Sequence, residues 1–262
     1  MFKKVLLKIY LVWAVFNFTV IMTATMPFII LPLVLLGEKR GGPISYFFLK
    51  SWGFLFGLCS GIRFKTENRK DVPRDQPFVY ISNHNSYLDS PAFVLAIPGQ
   101  FRPLGKIEMK KIPIFGWVYP YVVIMVDRSS LESKRKSMLT LMQKLKEGIS
   151  IFIFPEGKMN QSSDTLLPFH DGAFRIAVET QTSIMPMIIL NSRYIMPRHE
   201  FQPRPGTITT RFLSPVSTKG LTIQDIPQLK RQVYTLMKEA IDQREKETSQ
   251  VKIFRRLLTR EV

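Results

Sequence analysis

Cysteine is almost absent from this chain. Cys59 is the only one, which excludes an internal disulfide and gives no sign of an oxidising compartment. With three histidines scattered along 262 residues, the side chains for a zinc site are also too few and too far apart. Acidic residues are scarce: 20 against 37 basic ones, a formal charge of +17. Such an excess predicts attraction to polyanions: nucleic acid, anionic lipid head groups, or phosphorylated and acidic substrates. Zinc-finger spacing, basic heptads and an RNP-like stretch are all missing, which argues against nucleic acid as the partner. A Gly-x-Ser-x-Gly nucleophile elbow is missing too, so a serine hydrolase has no obvious nucleophile. No internal repeat or low-complexity tract breaks the chain.

Charge is also absent, locally, from Ile9 to Gly37, twenty-nine residues that are long enough to span a bilayer. Pro27 and Pro32 interrupt this run, and Asn17, Thr19, Thr23 and Thr25 polarise its middle. After Glu38-Lys39-Arg40-Gly41-Gly42 comes a second apolar segment, Ile44 to Ile62, rich in aromatics and carrying only Lys50 as a charge. Aromatic segments flanked by Lys and Arg suit the membrane interface. Residues 1–62 therefore read as a helical hairpin that dips into one leaflet, with a true span as the alternative. A signal peptide fits poorly, because strong hydrophobicity continues past any candidate cleavage site.

From Arg63 the composition becomes that of a soluble domain, and residues 63–262 read as one α/β unit. Residues 69–75 read as a charged linker loop. Strands are expected at Phe78–Ile81, Tyr121–Val126, Ser150–Phe154 and Ile184–Leu190. Helices are expected at Pro91–Ile97, Leu131–Glu147 and Gly172–Thr180. That alternation predicts a mostly parallel central sheet with helices on both faces. Gly206–Val216 reads as a further strand near an edge, and Ile226–Glu247 as an amphipathic helix. The tail from Val251 to Leu258 mixes basic and apolar residues, as an interfacial foot or a frayed helix end would.

The chemistry concentrates where strands are expected to end. His84 and Asp89 lie five residues apart, between an expected strand and an N-cap followed by proline, Ser90-Pro91. In a loop of that length Asp89 can hold one ring nitrogen of His84 and leave the other as a base. Phe154-Pro155-Glu156-Gly157 ends another strand-like run. Lys106 and Arg128 are cations at strand ends, and Glu108, Pro113 and Gly116 follow Lys106. His170 reads as a surface histidine, and Phe174 as core.

Taken together, these stretches resemble the glycerophospholipid acyltransferases that include 1-acylglycerol-3-phosphate acyltransferase. Asn83-His84-x4-Asp89 resembles that family's first block. Lys106-x-Glu108, Pro113, Gly116 and Arg128 resemble the second. Phe154-Pro155-Glu156-Gly157 resembles the third and Met185-Pro186 the fourth. The likeness covers residues 60–215, about three fifths of the chain. It implies that His84 takes the proton from a lysophospholipid hydroxyl attacking an acyl thioester, while Asp89 steadies the imidazolium. Lys106 and Arg128 would hold the acceptor phosphate, and Glu156 and Gly157 would shape the acceptor pocket. Backbone N–H groups near the helix start would receive the thioester oxyanion.

The same likeness implies no cofactor: acyl-CoA or acyl-carrier protein is a substrate, and the partners are membrane lipids and a lysophospholipid. It also implies a membrane protein whose catalytic domain faces the cytoplasm. One departure stands out. The family usually continues its third block Gly-Thr-Arg, and this chain has Gly157-Lys158-Met159-Asn160. Either Lys158 supplies the missing charge, or the acceptor head group is not a simple phosphomonoester. The alternatives to lysophosphatidic acid are another lyso-lipid acceptor or a catalytically silent lipid-binding protein.

Overall fold

The computed structural model describes residues 2–197 and 203–258, with the side chains of 2–4 and 248–258 left aside. The tail from Val251 continues a helix, but its interfacial role lies outside the described side chains.

Seven strands form one sheet: β1 (Ile62–Glu67), β2 (Val79–Ser82), β3 (Phe101–Lys106), β4 (Ile124–Val126), β5 (Ser150–Ile153), β6 (Ile184–Leu190) and β7 (Gly206–Phe212). Their order is β1-β7-β6-β2-β5-β3-β4. Every neighbouring pair is parallel except β6 and β7. Successive strand residues point to opposite faces, so both faces of a central strand must be apolar. Phe152, Met185, Met187 and Ile189 face one layer, while Ile151, Ile153, Ile184, Ile188 and Leu190 face the other. The second layer is closed by α4 (Leu131–Lys146), α5 (Gly172–Glu179) and α7 (Ile226–Leu258), through Leu141, Phe174 and Val233. The first is closed by α1 (Phe2–Cys59), α2 (Asp89–Ala96) and α3 (Phe115–Val122).

The hairpin therefore packs on the same core as the sheet. Within α1 the helix breaks at Gly37 (φ 69°, ψ 176°), a backbone region that only glycine enters cheaply. The two arms fold back together. Trp13 Nε1 donates to Cys59 O at 3.0 Å, Ser45 Oγ to Ile29 O at 2.6 Å, and Phe18 meets Trp52 edge to face at 5.3 Å. The tip is tied to the sheet: Glu38 pairs with Arg102 of β3 at 2.7 Å and with Lys144 of α4. Lys50 donates to Ile97 O at 2.7 Å and Gly99 O at 3.0 Å. Outward, Val12, Phe16, Val34, Leu35, Phe47 and Phe54 stay exposed. By length and composition α1 is apolar enough to cross a membrane. Its tip, tied to Arg102 and Lys144, lays the hairpin along the domain.

The sheet departs from the sequence reading in several places. β1 is not among the expected strands, and β3 is marked in the sequence only by its end at Lys106. β1 is an edge strand whose Arg63, Lys65 and Glu67 alternate with Ile62, Phe64 and Thr66, while Pro103 and Gly105 disguise β3. Residues 69–71, read as linker, make a short 3-10 turn. Tyr121 belongs to α3, and the strand read as Tyr121–Val126 shrinks to β4, because Phe115–Val122 turns its apolar side to the hairpin as a helix. β7 stops at Phe212 and lies one strand in from the edge, covered by β1. Beyond it Val216 only bridges to Ile184.

Candidate active site

The site is built at the carboxyl ends of β2, β5, β3 and β4, which are neighbours in the sheet. Asn83 closes the β2–β6 ladder with its side chain: Nδ2 donates to Ile189 O and Oδ1 accepts from Ile189 N–H, both at 2.8 Å. A side-chain amide thereby replaces a peptide group, and the main chain is free to turn at His84. The sequence marked Asn83 only as part of a block.

Asp89 is fully buried at the first turn of α2, and its Oδ2 gathers three contacts. It accepts from the N–H groups of Asn85 at 2.6 Å and Ser86 at 2.8 Å, and it meets His84 Nδ1 at 2.9 Å. A carboxylate on Nδ1 places the proton there and leaves Nε2 as the basic nitrogen. The imidazole also stacks on Phe154, centroids 3.9 Å apart and planes 10° from parallel, which fixes the ring plane. The amides of Asn85 and Ser86 are already spent on Asp89, so this start of α2 has none of them left for an oxyanion.

Glu156 lies beneath the loop, 1% exposed, not on its open face. The β2–β5 register, Ile81 opposite Ile153, brings it level with His84. Oε1 accepts from His84 N–H at 2.8 Å and Oε2 from Leu167 N–H at 2.9 Å. Burial pushes this carboxyl up to about 7, opposed by the two N–H donors and by Arg193 and reinforced by Asp89. Glu156, expected to shape the acceptor pocket, clamps the loop that carries His84. Gly157 turns the chain at φ 70°, and a Cβ there would stand 2.7 Å from the ring of His170. His170 itself is exposed and bonded through its N–H to Pro155 O, which places a histidine ring against the third block. Two residues beyond Lys158, the Asn160 N–H donates to His84 O at 2.7 Å.

The cations form a looser rim. The register pairs Lys106 with Val126, so Arg128 falls just past the end of β4. With strands spaced about 4.8 Å apart, Lys106 stands two strands and Arg128 three strands from His84, roughly 10 and 14 Å across the sheet. Lys106, Arg128 and Lys158 are all exposed. Burial draws the Arg128 guanidinium pKa down, and Glu108 and Tyr119 oppose that shift.

Arg193, which sequence reasoning missed, sits in α6 (Ser192–Ile195) just past β6 and donates from Nη2 to Asn85 Oδ1 at 3.0 Å. Its strand-end position is the same signal that singled out Lys106 and Arg128. Among the described residues no group of three His, Cys, Asp or Glu side chains is placed to hold a metal.

The family model described as Acyltransferase matches residues 63–190. Human 1-acyl-sn-glycerol-3-phosphate acyltransferase alpha is 32% identical over 173 residues, covering 64% of this chain and 60% of that protein. The chain thus spans about three fifths of the length of such curated relatives. An uncharacterized acyltransferase of Schizosaccharomyces pombe is 33% identical over 202 residues, 71% of this chain and 69% of that one. The crystal structure of the 1-acyl-sn-glycerophosphate acyltransferase PlsC from Thermotoga maritima shares the fold, with a TM-score of 0.79 at 20% identity over 92% of this chain and 97% of that one. On the dyad, the sheet and these matches, the chain belongs to the acyltransferase family.

Proposed function

We propose that the protein moves a fatty acyl group from an acyl thioester to the free hydroxyl of a lysophospholipid, with 1-acylglycerol-3-phosphate as acceptor and phosphatidic acid as product. The observation that carries this reading is the His84 Nδ1–Asp89 Oδ2 contact of 2.9 Å, which leaves Nε2 free at the carboxyl ends of the strands. The acceptor oxygen attacks the thioester carbonyl as Nε2 takes its proton. The tetrahedral intermediate then collapses, the C–S bond breaks, and the imidazolium returns the proton to the leaving thiolate. Asp89 stabilises the imidazolium between these two transfers. The nucleophile belongs to the substrate, so no acyl-enzyme forms.

Lys106 and Arg128 bind the acceptor phosphate, Arg128 through its planar fork. Glu156 and Arg193 act on the loop and not on the substrate: one holds the His84 amide, the other the Asn85 side chain. Gly157 keeps the turn narrow enough for the acceptor to approach. The acyl donor is acyl-CoA or acyl-carrier protein, met on the cytoplasmic side, and the acceptor comes from the leaflet that the hairpin enters. Curated relatives named for 1-acyl-sn-glycerol-3-phosphate support the choice of acceptor.

The test is to incubate full-length protein in membranes with labelled acyl thioester and lyso-acceptors bearing phosphate, phosphocholine, phosphoethanolamine or phosphoglycerol. Preferred transfer to lysophosphatidic acid is expected. The third block, Gly157-Lys158-Met159, favours one second reading, a larger head group. Preferred transfer to one of the other acceptors would establish that reading, and no transfer to any of them would refute both.

A further inference from the structure

The connection from β3 to β4 carries apolar surface that the core does not use. Ile107 is 42% exposed, Ile112 38%, Trp117 60% and Tyr121 42%. Trp117 and Tyr121 lie four residues apart in α3, hence on one face of that helix. The opposite face is buried through Val118, Tyr119 and Val122. Lys110 and Lys111, both exposed, stand in the 3-10 turn that precedes it. Elsewhere in the α/β domain the exposed large apolar or aromatic side chains, Tyr87, Leu131, Leu139, Tyr194 and Ile223, are spread over separate elements. Here four large apolar groups, a Trp and a Tyr among them, gather within fifteen residues beside two lysines.

That composition matches the head-group layer of a bilayer, where amphipathic rings settle and lysines meet lipid phosphates. The position agrees. Phe115, on the inner side of α3, packs on Phe18 of the hairpin with centroids 6.1 Å apart, so the patch adjoins the element already suited to a leaflet. We propose that residues 107–122 form a second membrane contact, lying in the head-group layer of a phospholipid leaflet beside the hairpin.

The placement stands on surface chemistry and does not depend on acyl transfer. Joined to the proposed function, it gives the rim a purpose. Lys106 precedes the segment and Arg128 follows it, so both phosphate ligands would stand at head-group depth, and the acceptor need not leave the leaflet.

Two measurements on the full chain test the contact. First, fluorescence of wild type and Trp117→Phe is compared on vesicles whose phospholipids carry bromine at shallow or deep acyl positions. The signal lost in Trp117→Phe should be quenched most by shallow bromines. A Trp117 contribution that no bromolipid quenches overturns the proposal and leaves the face free for a protein partner. Second, Lys110→Gln with Lys111→Gln should weaken binding to anionic vesicles, by about fivefold per lysine. Trp117→Ser should raise the apparent KM for acceptor embedded in vesicles, with kcat unchanged and no change for a short-chain monomeric acceptor. Equal loss with both acceptors, or unchanged vesicle affinity in the lysine variant, would also sink it.

Discussion

The loop around His84 and the rim of Lys106, Arg128 and Lys158 are held very differently. In the loop, Asp89 is fully buried and receives two backbone N–H groups besides the imidazole, and Glu156 ties the His84 amide to that of Leu167. Phe154 presses on the ring, and Asn83 fixes the point where the chain leaves the sheet. The rim has no comparable framework: its three cations are exposed side chains on separate strand ends. On the proposed function, the base is oriented before substrate arrives, while the cations proposed to bind the phosphate have to be ordered by the phosphate itself. Proton transfer tolerates little misplacement, whereas a doubly charged phosphate attracts cations from several directions. Substitutions should therefore act sharply and locally in the loop, and by degrees in the rim.

The largest effect is expected at the dyad. His84→Ala should leave a folded, membrane-bound protein whose transfer rate falls by about 10²–10⁴. Asp89→Asn should be comparably severe, because the imidazole can then settle with its proton on the wrong nitrogen. Steady-state transfer to lysophosphatidic acid measures both, and near-normal turnover in His84→Ala would end the mechanism. At the rim, Arg128→Met should lower kcat/KM for the acceptor about ten- to a hundredfold, since a charge-assisted contact is worth roughly 1.5–3 kcal/mol, and Lys106→Met by less, because its ammonium is exposed. The donor KM should hardly move. If donor and acceptor were affected alike, these residues would belong to the thioester's site.

Glu156 separates position from chemistry. A glutamine presents an NH2 group where the carboxyl presents its second oxygen, so Glu156→Gln should leave the His84 or Leu167 N–H unpaired, at a cost of about 1–3 kcal/mol. The pH dependence follows from the raised pKa of about 7. A carboxyl whose folded pKa lies above its unfolded value contributes stability that is fully present below the unfolded pKa and is lost as pH rises through the folded one. Wild type should therefore lose this contribution as pH rises to about 7 and beyond, and the glutamine variant should not. Thermal unfolding across that window should show the variant far below wild type in acid and closer to it above neutrality. A gap that stays constant with pH would mean that Glu156 is ionised throughout.

The sequence exposed these two regions unequally. β2, β5 and β6 are short apolar runs bounded by polar turns, so their ends, and with them His84 and Glu156, were placed to within a residue or so. The first and third acyltransferase blocks, at His84 and Glu156, lie on the ends of β2 and β5. β1, with its charged outer face, and the body of β3, interrupted by Pro103 and Gly105, lack the apolar run that marks a buried strand, so of β3 only the end at Lys106 is legible. α3 was read partly as strand for the converse reason: its eight residues carry no charge and are mostly buried or aromatic. The clamp role of Glu156 and the Arg193–Asn85 contact are pairings across strands, and spacing along the chain carries no record of them. Legibility also failed in the hairpin, where the apolar runs announced a membrane element but not the tie from Glu38 to Arg102 and Lys144.

The smallest effect is expected at Lys158, and it bears most directly on the contrast between loop and rim. The third block lacks its usual arginine, and Lys158 stands one position early. If Lys158 replaces that arginine as a firm phosphate ligand, Lys158→Met should match Arg128→Met. The two cations are not held alike, however. Arg128 is partly desolvated, with Glu108 and Tyr119 acting on its guanidinium. Lys158 follows the Gly157 turn as an exposed side chain on a flexible stem. An exposed ion pair of that kind is worth about 0–1 kcal/mol and is screened by salt. Lys158→Met should then reduce acceptor kcat/KM by no more than about fivefold, with the difference disappearing at high ionic strength while that of Arg128→Met persists. A salt-resistant loss of tenfold or more in Lys158→Met would move Lys158 from the rim into the site. Asn160, whose N–H holds the His84 carbonyl at 2.7 Å, would then be the residue that carries it there.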